Sequence, residues 1–554
     1  MRRHNKKNKT ILFGIVALAL LLLAVAYAQM NKFTPSKTRL SIKSELNIGE
    51  GKEYAVCLNG EYMEERAYDD GGIYLPLYFI KDKINNRFYY SKNEENILYS
   101  MPYKTEVIDY KVLNKEPYIS KDDLLHHTDI GINIREEDNI VNIITGSFAK
   151  ESKLVKVKKD TSIRKKGGIK SPILFDVKKG EQLFIIEDMD KWAKAVSFDG
   201  RLGYVKKSYL NSKVKIDENI LNNELGFADM EKEDFANQVR NHKISLGWDL
   251  MMNRKGNDKF YDNVKHTKGM NVISPTWFSV KDNDGNIESL ADSSYVKKAH
   301  DMHLEVWGLL GNLKYNEAKS KVFLSRSSSR KNIISSVIDE AKRVKLDGIN
   351  LDFEAIPQSA SEDFIQFVRE LSIECRKNKL VLSVDNYVPK NFNQYYNRRE
   401  QGIFADYIII MGYDEHYAGS KTAGSVASIG FVEDGIDETL KEVNADRIIN
   451  ALPFYMRMWT DTAGGLKSKS ISMHQANALI KKYKLEPYFD TNVGQNFVEF
   501  NAEKGFCRVW FEDAKSLKIK MDLIKNKGIG GIAFWRLGLE TNDVWDVVDI
   551  KNIS

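Results

Sequence analysis

Cysteine is scarce: three thiols, Cys57, Cys375 and Cys507, occur in 554 residues, far apart and odd in number. That excludes a disulfide framework, and their spacing matches no zinc site, so each reads as a buried thiol. Ten prolines and 35 glycines exclude a collagen-like chain, and 42% hydrophobic with 11% aromatic residues is too apolar for a disordered one. Long apolar runs are missing but for one, which excludes a polytopic membrane protein. Excess charge is missing too. The formal net charge of +6 falls to about +1 once Arg2, Arg3, Lys6, Lys7 and Lys9 are set aside. A near-neutral body with no basic stripe interleaved with aromatics has no field to draw nucleic acid, which is excluded as a partner.

The one apolar run, Ile11 to Ala28, carries no charged side chain. At about 1.5 Å per helical residue it nearly crosses a bilayer core of about 30 Å. The basic cluster before it predicts a cytoplasmic N-terminus and export of everything after residue 30. Ala26-Tyr27-Ala28 fits the small-x-small pattern of a signal-peptidase site. Residues 1–30 are therefore either a retained signal anchor, giving a single-pass cell-membrane protein with extracytoplasmic C-terminal domains, or a signal peptide cleaved near Ala28. The length of the run favours the anchor.

A polar linker, 31–48, follows. Residues 49–148 contain an internal echo. Ile73-Tyr74-Leu75-Pro76-Leu77, Phe88-Tyr89-Tyr90 and Asn96-Ile97-Leu98-Tyr99 match Pro117-Tyr118-Ile119, Ile132-Asn133-Ile134 and Asn139-Ile140-Val141-Asn142-Ile143 in spacing. Each copy reads as strand, short helix (77–83 and 121–126) and hairpin. The pattern resembles the small α+β stalk module called the copper-amine-oxidase N-terminal-like domain. No copper-ligand cluster accompanies it, and the adjacent His126-His127 reads as a surface pair. Residues 150–212 are short alternating strands broken by turns, a small β-barrel. They resemble a bacterial SH3-like domain, whose fold implies a cell-wall ligand or a spacer role. Residues 213–242 form a charged connector.

From 243 to 554, apolar runs alternate with helical patterns. Eight strands are expected: 244–248, 272–278, 304–310, 348–355, 380–386, 407–413, 448–454 and 531–535. Phe364, Phe367, Val368, Leu371 and Cys375 make one helical face after a Ser361 cap, and Ile333, Ile334, Val337, Ile338 and Ala341 make another. The fold class is α/β, a (β/α)₈ barrel behind the smaller modules. On the fourth strand Asn350, Asp352 and Glu354 share one face, while Ile349, Leu351 and Phe353 share the other. Carboxylates pointing into a barrel are costly unless they are fully hydrogen-bonded or do chemistry, and the C-terminal ends of barrel strands are where such chemistry sits.

These residues resemble the D-x-x-D-x-D-x-E signature of family 18 glycoside hydrolases, here Asp347, Asn350, Asp352 and Glu354. Met411-Gly412-Tyr413-Asp414 is similar to the family's M-x-Y-D, and Trp535 to the tryptophan that ends the eighth strand. MGYDEHYAGS, LPFYMRMW and VWFED look closest to the cell-wall and spore-cortex-lytic branch. The resemblance implies a glycosidase in which the substrate's own N-acetyl group is the nucleophile. It makes Glu354 the acid, Asp352 its charged neighbour and Tyr413 the group that holds the acetamido oxygen. Asp414 and Asn350 join the substrate-binding set, with Trp535 as the floor under the sugar and Trp277, Tyr455 and Trp459 as further stacking candidates. Core packing is the alternative for each aromatic. No metal or cofactor is implied.

Two departures qualify the resemblance. Asn350 stands where the family has an Asp and cannot share a proton with Asp352. The third strand lacks the S-x-G-G of chitinases, which moves the expected polysaccharide from chitin toward peptidoglycan. The expected partners are that glycan, the wall through the SH3-like domain and the membrane through the N-terminal helix. A chitinase and a non-catalytic glycan-binding protein are the competing functions.

Overall fold

The computed structural model describes residues 2–49, 51–217, 220–227, 235 and 237–552. Part of the expected connector, 213–242, lies outside these residues. The chain divides into two compact units, residues 1–88 with 108–232, and residues 89–107 with 233–554.

In the first unit the N-terminal helix, Arg2–Phe33, contains a 23-residue apolar stretch, Ile11–Phe33, with an 18-residue window of mean hydropathy 2.8 that is not buried against protein. It is long and apolar enough to cross a membrane. A seven-stranded sheet contains Glu53–Leu58 and Ile140–Thr145, which pair in parallel beside the edge strand Ile130–Arg135. The helix Lys121–His127 is capped by Ser120, whose Oγ accepts from Asp123 N at 3.0 Å. His127 corrects the expected surface pair: it is only 7% exposed, with Nδ1 2.8 Å from Asp123 O. A second seven-stranded sheet, Lys153–Val157 through Leu210–Val214, carries the SH3-like pattern. The two sheets share one apolar core that includes Cys57, Ile140, Leu154 and Phe184.

The second unit is built on eight parallel strands: β1 (Ile244–Asp249), β2 (Val272–Pro275), β3 (Glu305–Gly311), β4 (Gly348–Asp352), β5 (Val381–Tyr387), β6 (Tyr407–Met411), β7 (Ile448–Pro453) and β8 (Gly531–Trp535). β1 pairs with both β2 and β8, and β2 with β3, so the sheet closes into a barrel. Its interior is packed by alternate residues, among them Leu246, Trp248, Trp307, Leu309, Tyr407 and Ile409. The outer core is the layer between strands and helices. Both expected helical faces are buried in that layer, on helices Ser327–Val344 and Ser361–Lys377. Ser361 is the first helical residue rather than the cap; Ala360 precedes it with no side-chain bond.

Two features were not expected: an inserted sheet, and the grouping of the first repeat's expected hairpin with the barrel rather than with the 49–148 module. A five-stranded antiparallel sheet, drawn from residues 455–511, is inserted between β7 and β8. The hairpin Phe88–Ser91 and Asn96–Ser100 joins Thr105–Ile108 in a small sheet that packs against the barrel's helices. Tyr89 Oη donates to Asp363 at 2.6 Å, and Ser327 N donates to Glu94 at 2.8 Å.

Candidate active site

β4 carries its polar side chains in steps up one face. Asp347, just before β4 and outside that face by the same alternation, accepts from Val306 N and meets His300 Nε2, both at 2.8 Å. Asn350 is wholly buried. Its Oδ1 accepts from Trp248 Nε1 at 2.8 Å and Ser274 Oγ at 3.2 Å. Its Nδ2 donates to Asp385 Oδ1 at 2.7 Å and Ser383 Oγ at 3.0 Å. Every hydrogen-bonding position of the amide is thus filled below the cleft, where a sugar cannot reach it, which corrects its assignment as a substrate contact.

Asp352 and Glu354 are half-buried and open on a cleft of about 250 Å³, walled in part by Met251, Met252, Thr276, Leu313 and Lys314. Asp352 Oδ1 is buried with no hydrogen-bond partner. Glu354 lies two residues beyond the end of β4, yet its peptide is bracketed by one side chain. Asn312 Oδ1 accepts from Glu354 N at 2.9 Å, and Asn312 Nδ2 donates to Glu354 O at 2.8 Å. Ala355, at φ 50°, then turns the chain away in a conformation that an L-residue seldom adopts. The next two peptides are fixed by tyrosines: Ala355 N donates to Tyr387 Oη at 3.2 Å and Ile356 N to Tyr396 Oη at 3.1 Å.

Burial, and then the charge of Glu354, push the Asp352 carboxyl up to about 8. Glu354 is also raised. Burial is the main cause, a hydrogen bond with Tyr387 opposes it, and the Asp414 charge adds to it. The charge that lifts Glu354 thus comes from Asp414, whereas Asp352 was the expected source. Burial and then Asp352 hold Asp385 well above the ordinary carboxyl range. At neutral pH such a cluster keeps protons that exposed acids would have lost.

Tyr413, two residues past β6, and Trp535, the last residue of β8, are half-buried and rest on the interior cluster. Trp535 meets Trp248 edge-on at 5.7 Å. Asp414 is exposed, at φ 59°, and its Oδ1 accepts from Tyr455 Oη at 2.6 Å. Tyr455 is 6% exposed and so supports Asp414 from behind instead of offering a ring face. Trp277 and Trp459 are core residues. Each is at most 1% exposed, with its indole N–H spent on Asn257 Oδ1 at 2.9 Å and Gly424 O at 2.8 Å respectively.

Residues 226–540 match the family model of glycosyl hydrolases family 18, more than half of the chain. The chain belongs to glycosyl hydrolases family 18. Residues 159–211 match the bacterial SH3 domain. This family 18 chain is similar to the uncharacterized glycosylase YvbX of Bacillus subtilis, 28% identical over 301 residues, covering 51% of this chain and 86% of YvbX. It is also similar to the cortical fragment-lytic enzyme of B. subtilis, 27% identical over 246 residues, covering 43% of this chain and 57% of that enzyme. It therefore spans little more than half of that relative's length. A chitinase structure from Chromobacterium violaceum superposes with a TM-score of 0.50 at 21% identity, over 56% of this chain and 98% of that one, a likeness of fold.

Three residues of this family 18 hydrolase that sequence reasoning missed complete the site: Asn312, Asp385 and Tyr387. The last two had a readable signal. Ser383, Asp385 and Tyr387 alternate along β5 with the same period of two as Asn350, Asp352 and Glu354 on β4. Together the arrangement offers an acid whose carboxyl is raised by burial at the mouth of a cleft, a second carboxyl with an unsatisfied acceptor and a neighbouring hydroxyl.

Proposed function

We propose that this chain is a retaining, substrate-assisted N-acetylglucosaminidase that cuts β-1,4 bonds of peptidoglycan outside a membrane to which its N-terminal helix tethers it. The observation that carries this reading is the Asp352–Glu354 pair on the cleft, one acid raised by burial and the other with an unpartnered oxygen. Glu354 gives its proton to the glycosidic oxygen as the bond to C1 breaks. The acetamido oxygen of the same sugar attacks C1 and closes an oxazolinium ring. Asp352 accepts the acetamido N–H and balances the positive charge. Tyr413 donates its hydroxyl proton in a hydrogen bond to the acetamido oxygen, Asp414 holds a sugar hydroxyl and Trp535 lies under the ring. Glu354, now a carboxylate, takes a proton from water as that water opens the ring at C1. Two inversions leave the β configuration intact.

Three observations favour peptidoglycan as the glycan. A relative is named cortical fragment-lytic enzyme, an SH3-like domain precedes the barrel, and β3 lacks the chitinase S-x-G-G. Mass spectrometry of borohydride-reduced digests tests the assignment. Peptidoglycan treated with the enzyme should give fragments ending in reduced N-acetylglucosamine. Fragments ending in reduced N-acetylmuramic acid, or faster release from chitin than from peptidoglycan, would refute it.

Tyr413→Phe keeps the ring and removes one hydrogen-bond donor aimed at developing charge. It is expected to lower kcat by about 10²-fold with KM little changed, the size usual for one such donor. Steady-state kinetics on a chitooligosaccharide checks this.

A further inference from the structure

β5 runs parallel to β4, with Asn350 opposite Ser383 and Leu351 opposite Val384. That register brings Asp385 level with Asp352 on the inward face, one strand spacing of about 4.8 Å away. Asp385 is 3% exposed. Its Oδ1 receives Asn350 Nδ2 at 2.7 Å, and the orientation of that amide is fixed from behind. Trp248 Nε1 can only donate, and it donates to Asn350 Oδ1 at 2.8 Å, so the amide nitrogen must face Asp385. With a donor on Oδ1, Oδ2 is the oxygen left to carry a proton. The titratable groups that face Asp385 are Asp352, Glu354 and Tyr413, and none of them is a cation. Asn350 and Ser383 are neutral. Two carboxyls level with each other in such a place do not both ionise; they share a proton.

We infer that Asp385 is the positioning acid of this site, sharing one proton with Asp352 through Oδ2, so that Asp352 keeps its orientation in the free enzyme and leaves the shared proton on Asp385 when the acetamido N–H of the substrate arrives. The inference rests on the roles proposed above for Glu354 and Asp352. It also gives Asn350 a purpose. The carboxyl missing from β4 stands on β5, and Asn350 turns it so that its proton-bearing oxygen is the free one. In this proposal the proton moves only between Asp385 Oδ2 and the Asp352 carboxyl, and no bond to substrate is made by Asp385.

The test compares Asp385→Ala and Asp385→Asn with wild type on a chitooligosaccharide across pH, with Glu354→Gln as the control. Asp385→Ala removes the donor and should lower kcat by about tenfold or more, with KM within about threefold. Asp385→Asn keeps the shape and donates at every pH. It should recover most of that loss, and the alkaline limb belonging to the shared proton should move to higher pH. A side chain that merely fills space would not move that limb. Wild-type kcat in Asp385→Ala, or an unshifted pH profile in Asp385→Asn, overturns the inference. If Asp385→Ala does not fold, the profile of the isosteric Asp385→Asn decides alone. An active wild type with an inactive Glu354→Gln keeps the catalytic reading intact whatever Asp385 does, whereas undiminished Glu354→Gln activity brings down that reading instead.

Discussion

Glu354→Gln is expected to lower kcat on N-acetylglucosamine oligomers by about 10²–10⁴-fold, the range that a positioned general acid contributes. The substitution is nearly isosteric and leaves the peptide bracketed by Asn312, so glycan binding and the fold should survive. What is lost is the proton. The wild-type pH profile has a matching sign: burial raises the Glu354 carboxyl, so its acid form persists above the usual carboxyl range, and activity falls as pH rises through the raised value. The variant should show no such alkaline limb in its residual rate. Turnover at the wild-type rate in a folded Glu354→Gln protein would remove Glu354 from the mechanism.

Asp352→Asn should cost about 10²–10³-fold in kcat, because a neutral amide cannot balance the oxazolinium charge. Its effect on stability runs the other way. An unfolded aspartate titrates near 3.9, whereas in the folded protein Asp352 is held up to about 8 by burial and by Glu354. Between those values the unfolded chain gives up its proton while the folded one keeps it, so this group's contribution to stability is intact below about pH 4 and is lost as pH rises toward 8. Asparagine has no such dependence. The variant should therefore melt at a higher temperature than wild type at pH 8, with the gap closing toward pH 4. Thermal unfolding at both pH values reads the difference directly. A variant that is less stable at pH 8 would mean that Asp352 is not held protonated by its surroundings. The inward acid is thus expected to favour chemistry at the expense of the fold.

The barrel was legible because its signals are periodic. Eight apolar runs separated by helical patterns give the starts of β1 to β8 to within a residue, overrunning the ends of β2, β4 and β6 by two or three, and the alternation along β4 puts Asn350, Asp352 and Glu354 on one face by spacing alone. Periodicity gives the face a residue occupies but not what stands opposite. Asn350 has the right face and is nevertheless sealed beneath the cleft by Trp248, Ser274, Ser383 and Asp385, four partners from three other strands. Three aromatic candidates, Trp277, Tyr455 and Trp459, fail for a related reason: an indole at a strand end looks the same in sequence whether its N–H meets a sugar or, like Trp277, a buried Asn257. The sheet inserted between β7 and β8, and the packing of the 89–107 hairpin on the barrel, depend on contacts between distant segments, which leave no local pattern.

Retention through the substrate's own acetamido group is the claim on which the functional account turns, and the anomer formed first reports on it. Proton NMR of a chitooligosaccharide digest, recorded before mutarotation, should show the β-anomer accumulating ahead of the α-anomer at the new reducing end. If the α-anomer forms first, water has attacked C1 directly, and the roles given to Asp352, Tyr413 and Glu354 are contradicted together.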